Sequence, residues 1–285
     1  MKKLFVMLLA LMLGATCLFG TTACFGGNDD EDALKLINIG LTEEEYAFAM
    51  KLDNTSLQTS FNEYLAEIKS NGTFDAIMAK YFEGEGTKVG YNYVGDGSGL
   101  NEAGSIGTGK FVVATNAPFS PFEYVDDGKI YGVDMEIAAG YAQKHGLELI
   151  IKNIEFDAIL PALDAGYADI GMAGMTVTAE RSGYLFSDKY YNASLNIIVK
   201  GDNTEFDGLT TASAVEEKLK ALSGKKIGVQ IGTTAVDYVG DFSNIECKLY
   251  DTAAIAANDV INGNIYAVIV DNAPAAAIVN SYNVQ

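Results

Sequence analysis

The sequence predicts an α/β fold with parallel sheets covered by helices, and three observations carry that prediction. From Lys110 onward, short apolar runs rich in β-branched residues alternate with stretches of helical periodicity. Two of those runs, residues 226–231 and 266–271, read as buried strands. About 260 residues follow an N-terminal leader, enough for one large domain or two of about half that size.

The leader comes first. Lys2 and Lys3 precede a short apolar run, residues 4–13, and small residues then lead to Cys24. This is the layout of a secretory signal, too short for a comfortable membrane span. The segment Thr21-Thr22-Ala23-Cys24 resembles a bacterial lipoprotein processing site, which makes residues 1–23 the signal peptide and Cys24 the lipidation site. Residues 24–33 then form a lipid-anchored tether whose acidic run, Asp29 to Asp32, reads as a solvated spacer. Past Cys24 the single thiol is Cys247, so no internal disulfide and no metal or redox motif is expected. A net charge of −19 and a pI near 4.3 argue against nucleic acid as a partner.

Next come two amphipathic helices. Leu57, Phe61, Tyr64, Leu65 and Ile68 share one helical face; after Asn71-Gly72, so do Phe74, Ile77, Met78, Tyr81 and Phe82. A pair of helices has little core of its own and must cover apolar surface elsewhere. Residues 83–109 contain nine glycines and read as a flexible linker, with Tyr91 and Tyr93 available for local packing.

Beyond the linker, residues 111–115 read as a strand. Residues 133–142 read as a helix with Ile137, Ala138, Tyr141 and Ala142 on one face and Gly146 as its stop. His145, the single histidine, suits that helix's C-terminal end. Residues 147–151 are strand-like, 159–165 helical and 168–175 strand-like. In such sheets ligands sit at the carboxyl ends of the strands.

Seven pieces then carry a resemblance: residues 114–124 (ATNAPFSPFEY), 132–137 (GVDMEI), 156–163 (FDAILPAL), 174–181 (GMTVTAER), 186–188 (FSD), 225–234 (KKIGVQIGTT) and 267–274 (AVIVDNAP). In this order they resemble the polar amino-acid-binding proteins of ABC importers, the bacterial extracellular solute-binding proteins of family 3. The resemblance implies a two-lobed, periplasmic-binding-protein-like fold of type II, with two hinge strands and the ligand in the cleft. The family normally ends with a return strand and two helices. Here residues 39–50 resemble that return crossing and residues 57–82 the helical pair, so a circular permutation is expected. The implied lobes are 47–83 with 110–199, and 34–46 with 200–285, with 84–109 as the glycine-rich linker.

The same resemblance implies the ligand site. Arg181, the single arginine of the chain, would hold the ligand carboxylate bidentately, a geometry an ammonium cannot supply. Thr233 and Thr234, where a strand turns into a helix, would offer backbone N–H groups to the same carboxylate. Asp271, at the end of an apolar strand, would take the ammonium with the Gly174 carbonyl and the Thr176 hydroxyl. Phe119 and Phe156 would sandwich the side chain, while Phe122 belongs to the core. Asn116 and Gln230 stand where relatives vary with specificity, and neutral amides there favour a neutral-polar ligand such as glutamine without excluding arginine.

No serine triad, second histidine or metal spacing suggests catalysis, and no cofactor is implied. The expected role is binding only: a monomeric, lipid-attached receptor at the extracellular face of a bacterial membrane, or in a periplasm, serving an importer's permease. Two alternatives stand beside it, a periplasmic dehydratase-like enzyme on the same fold and an extracellular sensor module.

Overall fold

A computed structural model describes residues 33–95 and 109–283. The expected leader, Cys24 and nearly all of the 24–33 tether lie outside the described residues, as do residues 96–108 of the expected linker. Among the described residues no helix is long and apolar enough to cross a membrane.

Two five-stranded sheets form the frame. The first has the order β7 (Glu148–Asn153), β4 (Lys110–Thr115), β8 (Ile170–Gly171), β3 (Ala49–Lys51), β9 (Tyr184–Phe186). The second runs β1 (Leu34–Ile37), β11 (Leu195–Lys200), β14 (Ala267–Asp271), β12 (Lys225–Gln230), β13 (Ile245–Tyr250). Their centres are parallel as the sequence predicts: β4 pairs in parallel with β7 and β8, and β12 with β13 and β14. At one side each sheet is antiparallel, through β3 and β9 in the first and β1 and β11 in the second. The cause is the crossing of the chain. β2 (Glu44–Tyr46) leads from β1 into β3, and β10 (Tyr191–Ala193) leads from β9 into β11. These two crossings pair antiparallel with each other, so each enters its new sheet against the direction of the resident strands.

Helices cover the faces. α1 (Thr55–Ser70) starts at Asn54, whose side chain accepts a bond from the Leu57 N–H at 3.3 Å, satisfying one of the donors a helix start leaves free. Its buried residues are the predicted five, and Phe61 sits among the rings of Phe48, Phe111 and Tyr141. α2 (Thr73–Phe82) follows Gly72 at φ +80°, a conformation that favours glycine. α3 (Val133–Lys144) and α4 (Ile159–Asp164) are the crossovers of the first sheet. α5 (Ala212–Ala221), α6 (Thr234–Gly240), α7 (Ala253–Ile261) and α8 (Asn272–Asn283) belong to the second sheet's half. His145 caps α3 as expected, Phe122 is fully buried, and Cys247 is half-buried on β13.

Several expectations are corrected. The strand expected over 168–175 is paired only at Ile170–Gly171, because the chain turns at Gly174 (φ +54°) to line a cavity. The crossing expected over 39–50 is interrupted, with β2 and β3 separated by Ala47 and Phe48. A division at residue 199/200 would split β11, which is hydrogen-bonded along its length to β1 and β14; the chain has already crossed at β10. In the glycine-rich segment, by contrast, the local packing for which Tyr91 and Tyr93 were available is present in the first half. Tyr91 exchanges two backbone bonds with Ile130 of the β5–β6 hairpin (Tyr124–Asp126 and Lys129–Tyr131), at 2.9 and 3.0 Å. Val94 bonds Ile151 and Asn153 of β7, each at 2.8 Å. The tyrosines supply apolar surface, and Gly90 permits close approach to the Tyr131 ring.

Candidate ligand-binding site

The carboxyl end of β8 opens into the turn of Gly174 to Thr176, which is tied to the crossing strand β2. The Ala47 N–H donates to the Met175 carbonyl (3.0 Å), and the Val177 N–H to the Glu45 carbonyl (3.2 Å). A 3-10 turn over Ala179–Arg181 then brings Arg181 back toward Thr176. Its Nη1 donates to the Thr176 carbonyl at 2.6 Å and its Nη2 to the Gly232 carbonyl at 3.0 Å. The second bond crosses from the half built on the first sheet to the half built on the second. Beneath the guanidinium lies the Phe156 ring, its centroid 5.7 Å from Cζ.

From the second half, β12 ends at Gln230 and the chain turns through Gly232 (φ +78°) into α6. The Thr233 hydroxyl closes this turn by donating to the Gln230 carbonyl (2.8 Å), and the Thr234 hydroxyl donates to Glu44 Oε2 (3.2 Å). β14 delivers Asp271, immediately before α8.

Nine of the ten predicted ligand residues thus line one small cavity between the halves: Phe119, Phe156, Gly174, Thr176, Arg181, Gln230, Thr233, Thr234 and Asp271, joined by Ala173. Asn116 is placed behind the wall. Its Nδ2 donates to the Ile154 carbonyl (2.7 Å) and its Oδ1 accepts from Gln230 Nε2 (2.7 Å), a second bond across the cleft. With Arg181 on Gly232 and Gln230 on Asn116, the halves are closed on each other.

The polar ends of the cavity are charged and underused. Asp271 is 8% exposed, and its Oδ1 has no hydrogen-bond partner. Burial and then the negative charge of Glu44 push its carboxyl up to about 7, with Tyr46 and Arg181 pulling the other way. Burial pulls the Arg181 guanidinium down, opposed by Glu44, Asp237 and Asp271. Behind Gly174 lies a second acidic pair. The Asp134 carboxylate accepts from the Tyr190 hydroxyl (2.8 Å) and the Gly174 N–H (3.4 Å), and burial pushes both Asp134 and its neighbour Glu123 upward.

Two residues directly behind the cavity wall were missed from the sequence. Glu44 and Tyr46 both point inward from β2 while Glu45 between them is exposed. The signal was the period of two along a strand, which places alternate residues on one face. In the run Glu43-Glu44-Glu45 it is legible only once the strand's register is known. Among the described residues, no group of three or more His, Cys, Asp or Glu side chains is placed to hold a metal.

Residues 111–274, more than half of the chain, match the model of the bacterial extracellular solute-binding proteins, family 3. The chain belongs to this family. The two-sheet frame is accordingly its type II periplasmic-binding fold. Among relatives of this family member is the "Arginine-binding extracellular protein ArtP" of Bacillus subtilis, 35% identical over 134 residues. That match covers 47% of this chain and 48% of the relative, so the chain spans about half the length of that protein. Among solved structures, holo ArgBP from T. maritima superposes with a TM-score of 0.56 at 34% identity, over 62% of this chain and 75% of that one. An ancestral amino acid-binding protein, a precursor of cyclohexadienyl dehydratase, does so with a TM-score of 0.56 at 30% identity, over 62% and 76%.

Proposed function

We propose that this protein is the extracellular receptor of an amino-acid ABC importer, binding one polar L-amino acid between lobes that close on it. The observation that carries the reading is the pairing of Arg181 with Asp271 in a single interlobe cavity, the latter with an unpartnered, buried oxygen. A cation at one end and an anion at the other match the carboxylate and ammonium of a zwitterion, and exclusion of water strengthens both contacts. Relatives described as arginine-, histidine- and cystine-binding support the ligand class.

The test is a thermal-shift panel of the common amino acids on the purified protein. A ligand at a hundred times its dissociation constant adds about 2.7 kcal/mol. For a chain of this size that is a rise of roughly 5–10 °C. A rise with one or a few polar amino acids supports the receptor reading; no rise with any of them refutes it.

Two further parts belong to the same reading. The TTAC segment supports acylation of Cys24 and attachment to the membrane beside the permease. Palmitate labelling that persists in Cys24→Ser would refute it. The circular permutation is supported by the meeting of the two ends of the described chain. The Asn283 side chain accepts from the Leu34 N–H (3.2 Å) and donates to the Leu34 carbonyl (2.8 Å). The lobes then divide at the β2–β10 crossing, with 34–43 and 195–283 in one and 47–95 and 109–190 in the other.

A further inference from the structure

The side-chain chemistry of the ligand can be read from the charge enclosed with it, given the receptor reading above. Glu44 is 4% exposed on the crossing strand β2. Its two oxygens are taken by hydroxyls, Oε1 by Thr42 at 2.8 Å and Oε2 by Thr234 at 3.2 Å, rather than by a cation. Thr234 lines the cavity, so the Glu44 carboxylate stands one hydroxyl behind its wall. No lysine lines that cavity, and Arg181 is the chain's single arginine.

We infer that Glu44 selects the charge of the ligand: once the ligand ammonium holds Asp271 ionised, Glu44 and Asp271 against the Arg181 guanidinium leave the closed site one negative charge in surplus, which a cationic amino acid cancels and a neutral one does not. A zwitterion brings no net charge, so its enclosure leaves the surplus desolvated, which is costly. A side chain such as guanidinium or ammonium removes the surplus. It also finds the faces of Phe119 and Phe156 in the cavity wall, surfaces that attract cations. An acidic side chain doubles the surplus. The neutral amides of Asn116 and Gln230, which by themselves favour a neutral ligand, bond to each other across the cleft and leave the charge balance to Glu44.

The test uses ligand pairs of equal length that differ in side-chain charge: arginine against citrulline, and lysine against 6-hydroxynorleucine. Dissociation constants are measured for the wild-type protein, Glu44→Gln and Glu44→Asp. The wild type is expected to prefer the cation of at least one pair by 30-fold or more. Glu44→Gln should cut that preference at least tenfold, and Glu44→Asp should keep most of it. A preference unchanged within threefold in Glu44→Gln overturns the role of Glu44, as does a wild type that binds neutral amino acids but neither cation. A wild type that binds no amino acid refutes the receptor reading itself. Should Glu44→Gln not fold, calorimetry of the wild type in two buffers of different ionisation enthalpy decides. The cation must leave fewer protons on the site than its neutral partner, and equal proton counts overturn the inference.

Discussion

Asp271 couples ligand binding to pH at the level of a single carboxyl group. Its pKa stands near 7, raised first by burial and then by Glu44, with Tyr46 and Arg181 pulling the other way. An ammonium placed against it favours the ionised form, so binding below pH 7 must expel a proton. Affinity should therefore rise with pH, approaching tenfold per unit well below 7, and level off above it. Calorimetry between pH 5.5 and 8 checks this, and Asp271→Asn should flatten the profile as well as weaken binding. A flat wild-type profile would show that Asp271 does not meet the ammonium. Legibility in the sequence differed sharply among these residues. Arg181 was conspicuous as the sole arginine, and Asp271 ended an apolar strand, so both could be named without coordinates. Glu44 lay hidden in a run of three glutamates, and only its pairing register in β2 separates it from Glu45. Asn116 was named from resemblance, but the structure engages both ends of its amide behind Gln230.

Among the elements, the turn after β8 does most to shape the site, and Gly174 is its constrained point. Its φ of +54° disfavours a side chain, and a Cβ there would stand 2.5 Å from Phe119 Cε1 and 3.1 Å from the Tyr46 ring. Gly174→Ala should push the Phe119 ring into the cavity. The expected result is affinity lower by tenfold or more and a melting temperature lower by several degrees, since a left-handed alanine alone costs roughly 1 kcal/mol. Unchanged affinity would mean that Phe119 does not bound the ligand. The helices were readable because α1 and α2 each present one apolar stripe. What the periodicity could not convey was the direction of β3 and β11, which depends on where the chain crosses between sheets. Nor could composition show that the glycine-rich segment is anchored through Tyr91 and Val94, because those backbone bonds depend on partners in the β5–β6 hairpin and β7.

For the whole molecule, the order of the segments is itself testable. The family match begins at residue 111 and ends at 274, while β1, β3, α1 and α2, which complete both sheets and the first core, precede it. If the order is a permutation of the family's, the junctions rather than the packing distinguish the two forms. Leu34 and Asn283 are already joined through a side chain, so a linker of about four residues can connect them without distortion, and the chain can be opened between residues 83 and 84. Tyr91 and Val94 then keep their backbone bonds as part of an N-terminal extension. Replacing a connection of about 26 residues by one of about four lowers the closure entropy by about 1–2 kcal/mol. The rearranged chain, residues 84–283 followed by 34–83, should therefore fold with a melting temperature equal to or a few degrees above the parent's. It should bind the same ligand within threefold, because every residue of the cavity keeps its neighbours. Circular dichroism, thermal denaturation and calorimetry read the three outcomes. A rearranged chain that fails to fold, or folds without binding, would show that residues 34–83 are held in place by their connection to the linker rather than by the packing of β1 to β3, α1 and α2.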